Sequence, residues 1–196
     1  ININKIDALL ITHDHSDHIS GLDELRPFYF TNRMKLNLYT HKTTAKIIKK
    51  RFNYLFEKQS NSQSYFQPPL FINEIEYYDF VKINNFSIKS IKQYHGVSNT
   101  LGFIINDKFA YCTDVVKFPE KSFKKLYNLD LLIISALRET PHLAHAHFDL
   151  TFEWIKKLKP KQSYLTHFSP DSDHDYVSSI CPVSVEPAYD GLIINL

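Results

Sequence analysis

The sequence lacks most of the features that assign a chain to a class at a glance. Its 196 residues hold only two cysteines, Cys112 and Cys181. That is too few for a disulfide framework, and they are too far apart for a thiolate zinc site. Each reads as a small core residue in a protein of a reducing compartment. No apolar run approaches the ~18 residues of a membrane span, and no basic-then-apolar stretch opens the chain. The formal net charge is +2, with both signs mixed along the sequence, so there is no charge footprint for a large nucleic acid. The basic cluster Lys46, Lys49, Lys50 and Arg51 reads as the solvated face of a helix. These absences together predict a cytoplasmic protein with no membrane partner and no large nucleic-acid partner. No internal repeat occurs. An initiating Met is also missing: the chain opens Ile-Asn-Ile-Asn and reaches its richest motif within a dozen residues.

A hydrophobic fraction of 43 % is enough for a real core and far from a disordered composition. The length fits a single domain over residues 1–196. Short apolar runs alternate with helical patterns. Strands are predicted at 6–12, 36–40, 75–83, 86–94, 101–105, 109–113, 131–135, 162–166, 183–187 and 192–195. Helices are predicted from Ser20 to a break near Pro27, and over 43–52, 119–127, 150–158 and 173–180. The polar stretch 57–69, ending in two prolines, reads as a loop. The class is α/β with a mixed sheet.

The stretch Thr12-His13-Asp14-His15-Ser16-Asp17-His18 concentrates imidazoles and carboxylates in one short loop. Such crowding gains nothing for folding unless a cation is bound. Further candidates follow strand-like runs in the same manner: His95 after IKQY, Asp114 after FAYCT and His167 after SYLT. Strand ends are where sites gather in open α/β sheets. Two divalent ions repel each other, and a bridging carboxylate with neutral imidazoles offsets that repulsion. His13 and His15 would serve one ion and Asp17 and His18 the other, with His95 and His167 completing the set and Asp114 bridging. A water held there would ionise near neutral pH and act as a hydroxide nucleophile. The ligand types suit zinc or manganese, two ions per chain.

His13-Asp14-His15-Ser16-Asp17-His18 resembles the HxHxDH signature of the metallo-β-lactamase fold, and Tyr94-His95-Gly96, Cys112-Thr113-Asp114 and Leu165-Thr166-His167 follow in that family's order. The chain looks closest to the phosphodiesterase branch that includes phosphoribosyl cyclic phosphate phosphodiesterase and, more distantly, the tRNA 3′-end-processing endonucleases. Leu22-Asp23-Glu24-Leu25-Arg26-Pro27 and Ala188-Tyr189-Asp190-Gly191-Leu192 also look like that branch. The resemblance implies an αβ/βα four-layer sandwich, here lacking its first strands. It implies a dinuclear metal hydrolase acting on a small phosphodiester, such as a cyclic phosphate or a nucleotide-like molecule. It further implies that Asp17 takes part in catalysis. A histidine at the distance of His145 before His167 would protonate the departing oxygen or hold a phosphoryl oxygen. His142, His147 and Arg138 would support the site or touch substrate, and His147 alternatively caps the next helix. Ser135 stands where the family pattern has an Asp. His41 and His174 read as surface residues. Other readings are a non-catalytic metal-binding fragment or remnant, a tRNA-processing-type nuclease, and a redox diiron protein. The absent strands predict a homodimer or an N-terminal partner fragment that covers the open edge.

Overall fold

A computed structural model describes residues 2–58 and 67–195. Of the predicted loop 57–69, residues 59–66 lie outside the described residues. Backbone contacts divide the chain into two units, Ile1–Asp79 with Ile83–Asn85, and Phe80–Lys82 with Phe86–Leu196.

The first unit holds a parallel three-stranded sheet in the order β1 (Ala8–Leu10), β2 (Leu36–His41), β3 (Leu70–Ile75). Its register sets Leu9 beside Leu38 and Leu38 beside Ile72. The helix expected to start at Ser20 begins earlier. The metal-type loop itself forms α1 (Ser16–Ile19), and Ser20 is its C-cap rather than the N-cap of a new helix. A 3-10 turn, Ser20–Leu25, follows. Pro27 then leads α2 (Phe28–Asn32), as its fixed φ allows. The helix α3 (Lys42–Arg51) buries Thr44, Ala45 and Ile48 and leaves Lys46, Lys49, Lys50 and Arg51 in solvent, as the sequence predicts. His41, expected at the surface, is buried. It stacks on Tyr77 at 4.4 Å and its Nδ1 accepts from the Thr43 amide, capping α3. Ile19, Leu22, Phe28, Leu38, Ile48 and Leu55 form this unit's core.

The second unit carries a seven-stranded sheet in the order β10-β9-β8-β7-β6-β5-β4. The strands are β4 (Phe80–Ile83), β5 (Phe86–His95), β6 (Ser98–Ile105), β7 (Phe109–Cys112), β8 (Leu131–Ser135), β9 (Gln162–Thr166) and β10 (Val185–Pro187). The single strand predicted over 75–83 is in fact the end of β3 and all of β4. Tyr78 at φ 73 turns the chain between them, and the Asp79 carboxylate accepts from the Glu76 amide at 2.7 Å. The strand predicted at 192–195 is irregular instead, with Ile193 exposed. Among the described residues, three helices complete the unit: α4 (Glu120–Lys124), α5 (Phe148–Leu158) and α6 (His174–Ile180). In α5 the buried residues Phe148, Thr151, Trp154, Ile155 and Leu158 recur at helical spacing. Lys159 in the left-handed region and then Pro160 end it. The Asp173 carboxylate caps α6 through the Tyr176 amide. Cys112 is wholly buried in this core, where desolvation drives its thiol pKa far up, and Cys181 packs partly buried against it. Neither is a nucleophile in waiting.

Strand direction decides what meets what. β7, β8, β9 and β10 are mutually parallel, while β6 runs antiparallel to both β5 and β7. β5 therefore runs with β7. The C-terminal ends of β5, β7, β8 and β9 share one edge of the sheet, which is where ligands collect in sheets of this kind.

Candidate metal centre

In the first unit the predicted ligands are brought together locally. The His13 ring lies 4.5 Å from that of His15 and 4.3 Å from that of His18. Asp17 Oδ2 is 3.2 Å from His18 Nε2. The geometry follows from the backbone: His15 is extended at the N-cap and Ser16–Ile19 turn helically, so the His15 and His18 rings both come to that of His13. Thr12 Oγ1 lies 3.0 Å from His13 Nδ1 and sets that ring's orientation. Arg51, read from sequence only as part of a solvated face, has a second task. Its guanidinium donates to the Asp14 carbonyl at 2.8 Å and ties α3 to this loop.

In the second unit four residues from four segments converge. His95 ends β5, Asp114 follows β7, His167 follows β9, and His145 comes from the loop after β8. Asp114 is 1 % exposed. One of its oxygens, Oδ1, faces three ring nitrogens: His167 Nε2 at 3.4 Å, His145 Nδ1 at 3.6 Å and His95 Nε2 at 3.8 Å. These separations exceed an ordinary hydrogen bond. Two donors about 2.0–2.1 Å from one tetrahedral ion lie roughly 3.4 Å apart, so the spacing is that of atoms around a shared cation. Asp114, His145 and His167 each present a donor within 4.8 Å of the others, as a metal site requires. His145 Nδ1 is buried and makes no hydrogen bond among the described residues. His95, Asp114 and His167 are thus spaced to fit a divalent metal ion, with His145 close beside them.

Supporting groups hold this arrangement. His95 Nδ1 bonds the Ala144 carbonyl at 2.8 Å, which leaves Nε2 toward Asp114. The Thr113 hydroxyl donates to Asp114 Oδ2 at 2.7 Å. Gln93 donates to Thr100 Oγ1 and to the Thr113 carbonyl, and Thr100 donates to the Asp114 carbonyl. Sequence reading passed over Gln93 and Thr100. Their signal was available: Ile91, Gln93 and His95 alternate on one buried face of β5, and an amide in such a row has no place in a purely apolar core. Asp114 and His167 both sit at positive φ, 53° and 63°. For residues other than glycine this stores about 1 kcal/mol or more each, and such strain concentrates at functional sites.

The remaining predicted residues lie nearby. His145 stacks on His167 at 4.9 Å and meets His95 edge-on at 4.5 Å. Burial pushes its pKa down to about 4, against the opposing pull of Asp114, so its ring is neutral at neutral pH. His142 is exposed, its ring 5.1 Å from that of His145, and its Nδ1 accepts from the Ala144 amide. His147 occupies the N-cap position of α5 but its side chain makes no capping bond. Arg138 braces the histidine loop through the Thr140 and Pro141 carbonyls, at 3.3 Å each. It also lines a cavity of about 320 Å³ with Glu139, Ser169 and Tyr176. Ser135 is fully buried and its carbonyl accepts from Thr151. His174 is half exposed.

Among solved structures, the chain is similar to a diphosphatase of the PhnP family, with 30 % identity and a TM-score of 0.86 over 96 % of this chain and 70 % of that one. It is similar to the short form of human tRNase Z, with 18 % identity and a TM-score of 0.74 over 100 % of this chain and 81 % of that one, a likeness of fold. A curated relative named octanoyltransferase, from Porphyromonas gingivalis, is 27 % identical over 97 % of this chain. The chain spans only 38 % of that protein's length. The beta-lactamase superfamily contains metal-dependent hydrolases. No helix among the described residues is long and apolar enough to cross a membrane. The family model described as beta-lactamase superfamily domain matches residues 1–168, and the chain belongs to that superfamily.

Proposed function

We propose that the chain is a metal-dependent phosphodiesterase acting on a small phosphodiester, such as a cyclic phosphate or a nucleotide-like molecule. The observation that carries this reading is the buried Asp114 carboxylate facing three imidazoles at 3.4–3.8 Å. His13, His15, Asp17, His18, His95, Asp114 and His167 are assigned as ligands of two divalent ions, zinc or manganese. Bound there, the ions would supply Lewis acidity and make a water ionise near neutral pH. The protein's own groups do the rest. Asp17 accepts a proton at the attacking side. His145, neutral and held between His95 and His167, presents a ring nitrogen to a phosphoryl or departing oxygen. Arg138 fixes the loop that carries it.

The likeness to a PhnP-family diphosphatase favours phosphate esters. The mild net charge favours a small substrate over a folded RNA. The curated relative's name raises a second substrate class, an octanoyl ester or thioester, which the same scaffold could hydrolyse. The deciding experiment measures metal content of the purified chain and turnover of bis(p-nitrophenyl) phosphate beside an octanoyl thioester. About two ions per chain with phosphodiester turnover is expected. Thioester turnover alone would replace this substrate class, and a metal-bound protein with neither activity would leave a binding module.

A further inference from the structure

β7 ends at Cys112, and past that point the sheet ladder no longer fixes the chain. The next two residues nevertheless take up a demanding geometry. Asp114 sits at φ 53, a conformation that a residue with a side chain leaves unless its surroundings prevent it. Further on, the Val116 amide donates to the Tyr94 carbonyl at 2.8 Å and keeps the segment beside β5. The hold on residues 113 and 114 themselves comes from side chains of β5 and β6. Gln93 and Thr100 face each other across that hairpin, and both are buried.

The hydrogen bonds of this group run in one direction. The Thr113 carbonyl can only accept, so the end of Gln93 that meets it at 2.8 Å is the NH2 group. The second N–H of that group goes to Thr100 Oγ1 at 3.0 Å. The Thr100 hydroxyl then has its own proton for the Asp114 carbonyl, also at 3.0 Å. The two carbonyls held in this way flank the Asp114 Cα, so both peptide planes that meet there are fixed, and φ and ψ with them. The Thr113 hydroxyl donates to Asp114 Oδ2 at 2.7 Å and leaves Oδ1 to His95, His145 and His167. The other end of Gln93, Oε1, is buried and makes no hydrogen bond among the described residues. A buried acceptor in that state destabilises the fold, so stability alone does not account for the network.

We infer that Gln93 and Thr100 are positioning residues: they lock Asp114 in its left-handed conformation and so aim its carboxylate at the three imidazoles. The inference rests on the metal-centre reading for what the carboxylate holds, but not for the lock itself. Both residues act through the backbone of residues 113 and 114. Without the Thr100 hydroxyl, the Asp114 carbonyl and one Gln93 N–H lose their partner together. The backbone is then released toward negative φ, which turns the carboxylate away from His95, His145 and His167.

The test compares Thr100→Val, which removes the hydroxyl at nearly constant volume, with Thr100→Ser, which keeps it. Zinc affinity of the full chain is measured by competition with a chromophoric chelator, and the visible spectrum of the cobalt-loaded protein is recorded beside it. Thr100→Val should bind zinc about 10–100-fold more weakly and change the cobalt spectrum, and Thr100→Ser should restore both. Thermal melts of the chelator-treated proteins check that each variant folds. If Thr100→Val does not fold, Gln93→Met, which removes both donors at similar volume, carries the same expectation. A variant that melts lower without metal yet binds zinc and cobalt as the wild type does overturns the inference, because Gln93 and Thr100 would then only pack the core. Thr100→Ser binding as weakly as Thr100→Val overturns it as well. A wild type that binds no zinc removes the metal-centre reading and the inference with it, whereas full affinity in Thr100→Val removes the lock alone.

Discussion

His145 is the residue on which the proposed chemistry turns, because it lies among candidate ligands yet comes from a loop of its own. Replacing it with alanine should leave the metal content unchanged and lower phosphodiester turnover by about 10²–10⁴-fold. Metal analysis and steady-state kinetics on the same sample check both halves, and loss of an ion would make His145 a ligand instead. Glu76 offers a prediction on stability. Lys42 Nζ at 2.8 Å, and after it His41, hold the Glu76 carboxyl below its ordinary pKa of 4.5. A depressed folded pKa means that the contribution is present above that value and fades as pH falls through it. Glu76→Gln should thus lower the unfolding midpoint slightly at pH 7 and not at all at strongly acidic pH, as thermal melts across that range would show. His41 also teaches a lesson about reading single residues. Nothing local in the sequence announces that it is buried, because Tyr77 and Glu76 reach it from the far end of β3.

Elements were more legible than residues. β8 and β9 lie where their apolar runs predict, and α5 follows its helical spacing. The failures occurred where chemistry overrode pattern. The metal-type loop turns helical at Ser16, although histidine and aspartate are poor helix formers. The turn at Tyr78 divides a run that looks continuous on composition alone. On β6, Gly102 has a specific reason to lack a side chain. A Cβ there would fall 2.5 Å from Gln93 Oε1 and 2.9 Å from Ile91 Cγ1, both in fully buried residues. Gly102→Ala should cost about 1–3 kcal/mol through overpacking. Because Gln93 holds the Thr113–Asp114 backbone, it should also weaken metal binding. Denaturant melts and a metal titration on one preparation test the two effects separately.

At the level of the whole chain, a cation bound at the proposed centre would stabilise the folded state by mass action. Removing metal with a chelator should abolish turnover and lower the unfolding midpoint by about 10 °C, if the ions are held at ~1,000 times their dissociation constant. Added zinc or manganese should restore both. A midpoint indifferent to chelation would mean that the histidines are satisfied without metal, and the proposed centre would go with it.

The sequence by itself determined the superfamily and the α/β class, and it singled out the candidate metal-ligating residues. Those follow from short-range facts: HxHxDH is contiguous, and strands announce themselves by apolar runs that end in His or Asp. The tertiary structure alone decided which of the later histidines keep company with Asp114. His95, His145 and His167 lie in separate segments, and only the shared direction of β5, β7 and β9 carries two of them and Asp114 to one sheet edge. It also decided the supporting cast of Gln93, Thr100 and Arg51, and the fastening of the Gly96 turn to Ala144. Hydrogen bonds between distant segments leave no spacing in the chain to read. They exist only once the sheet has set which strand lies beside which.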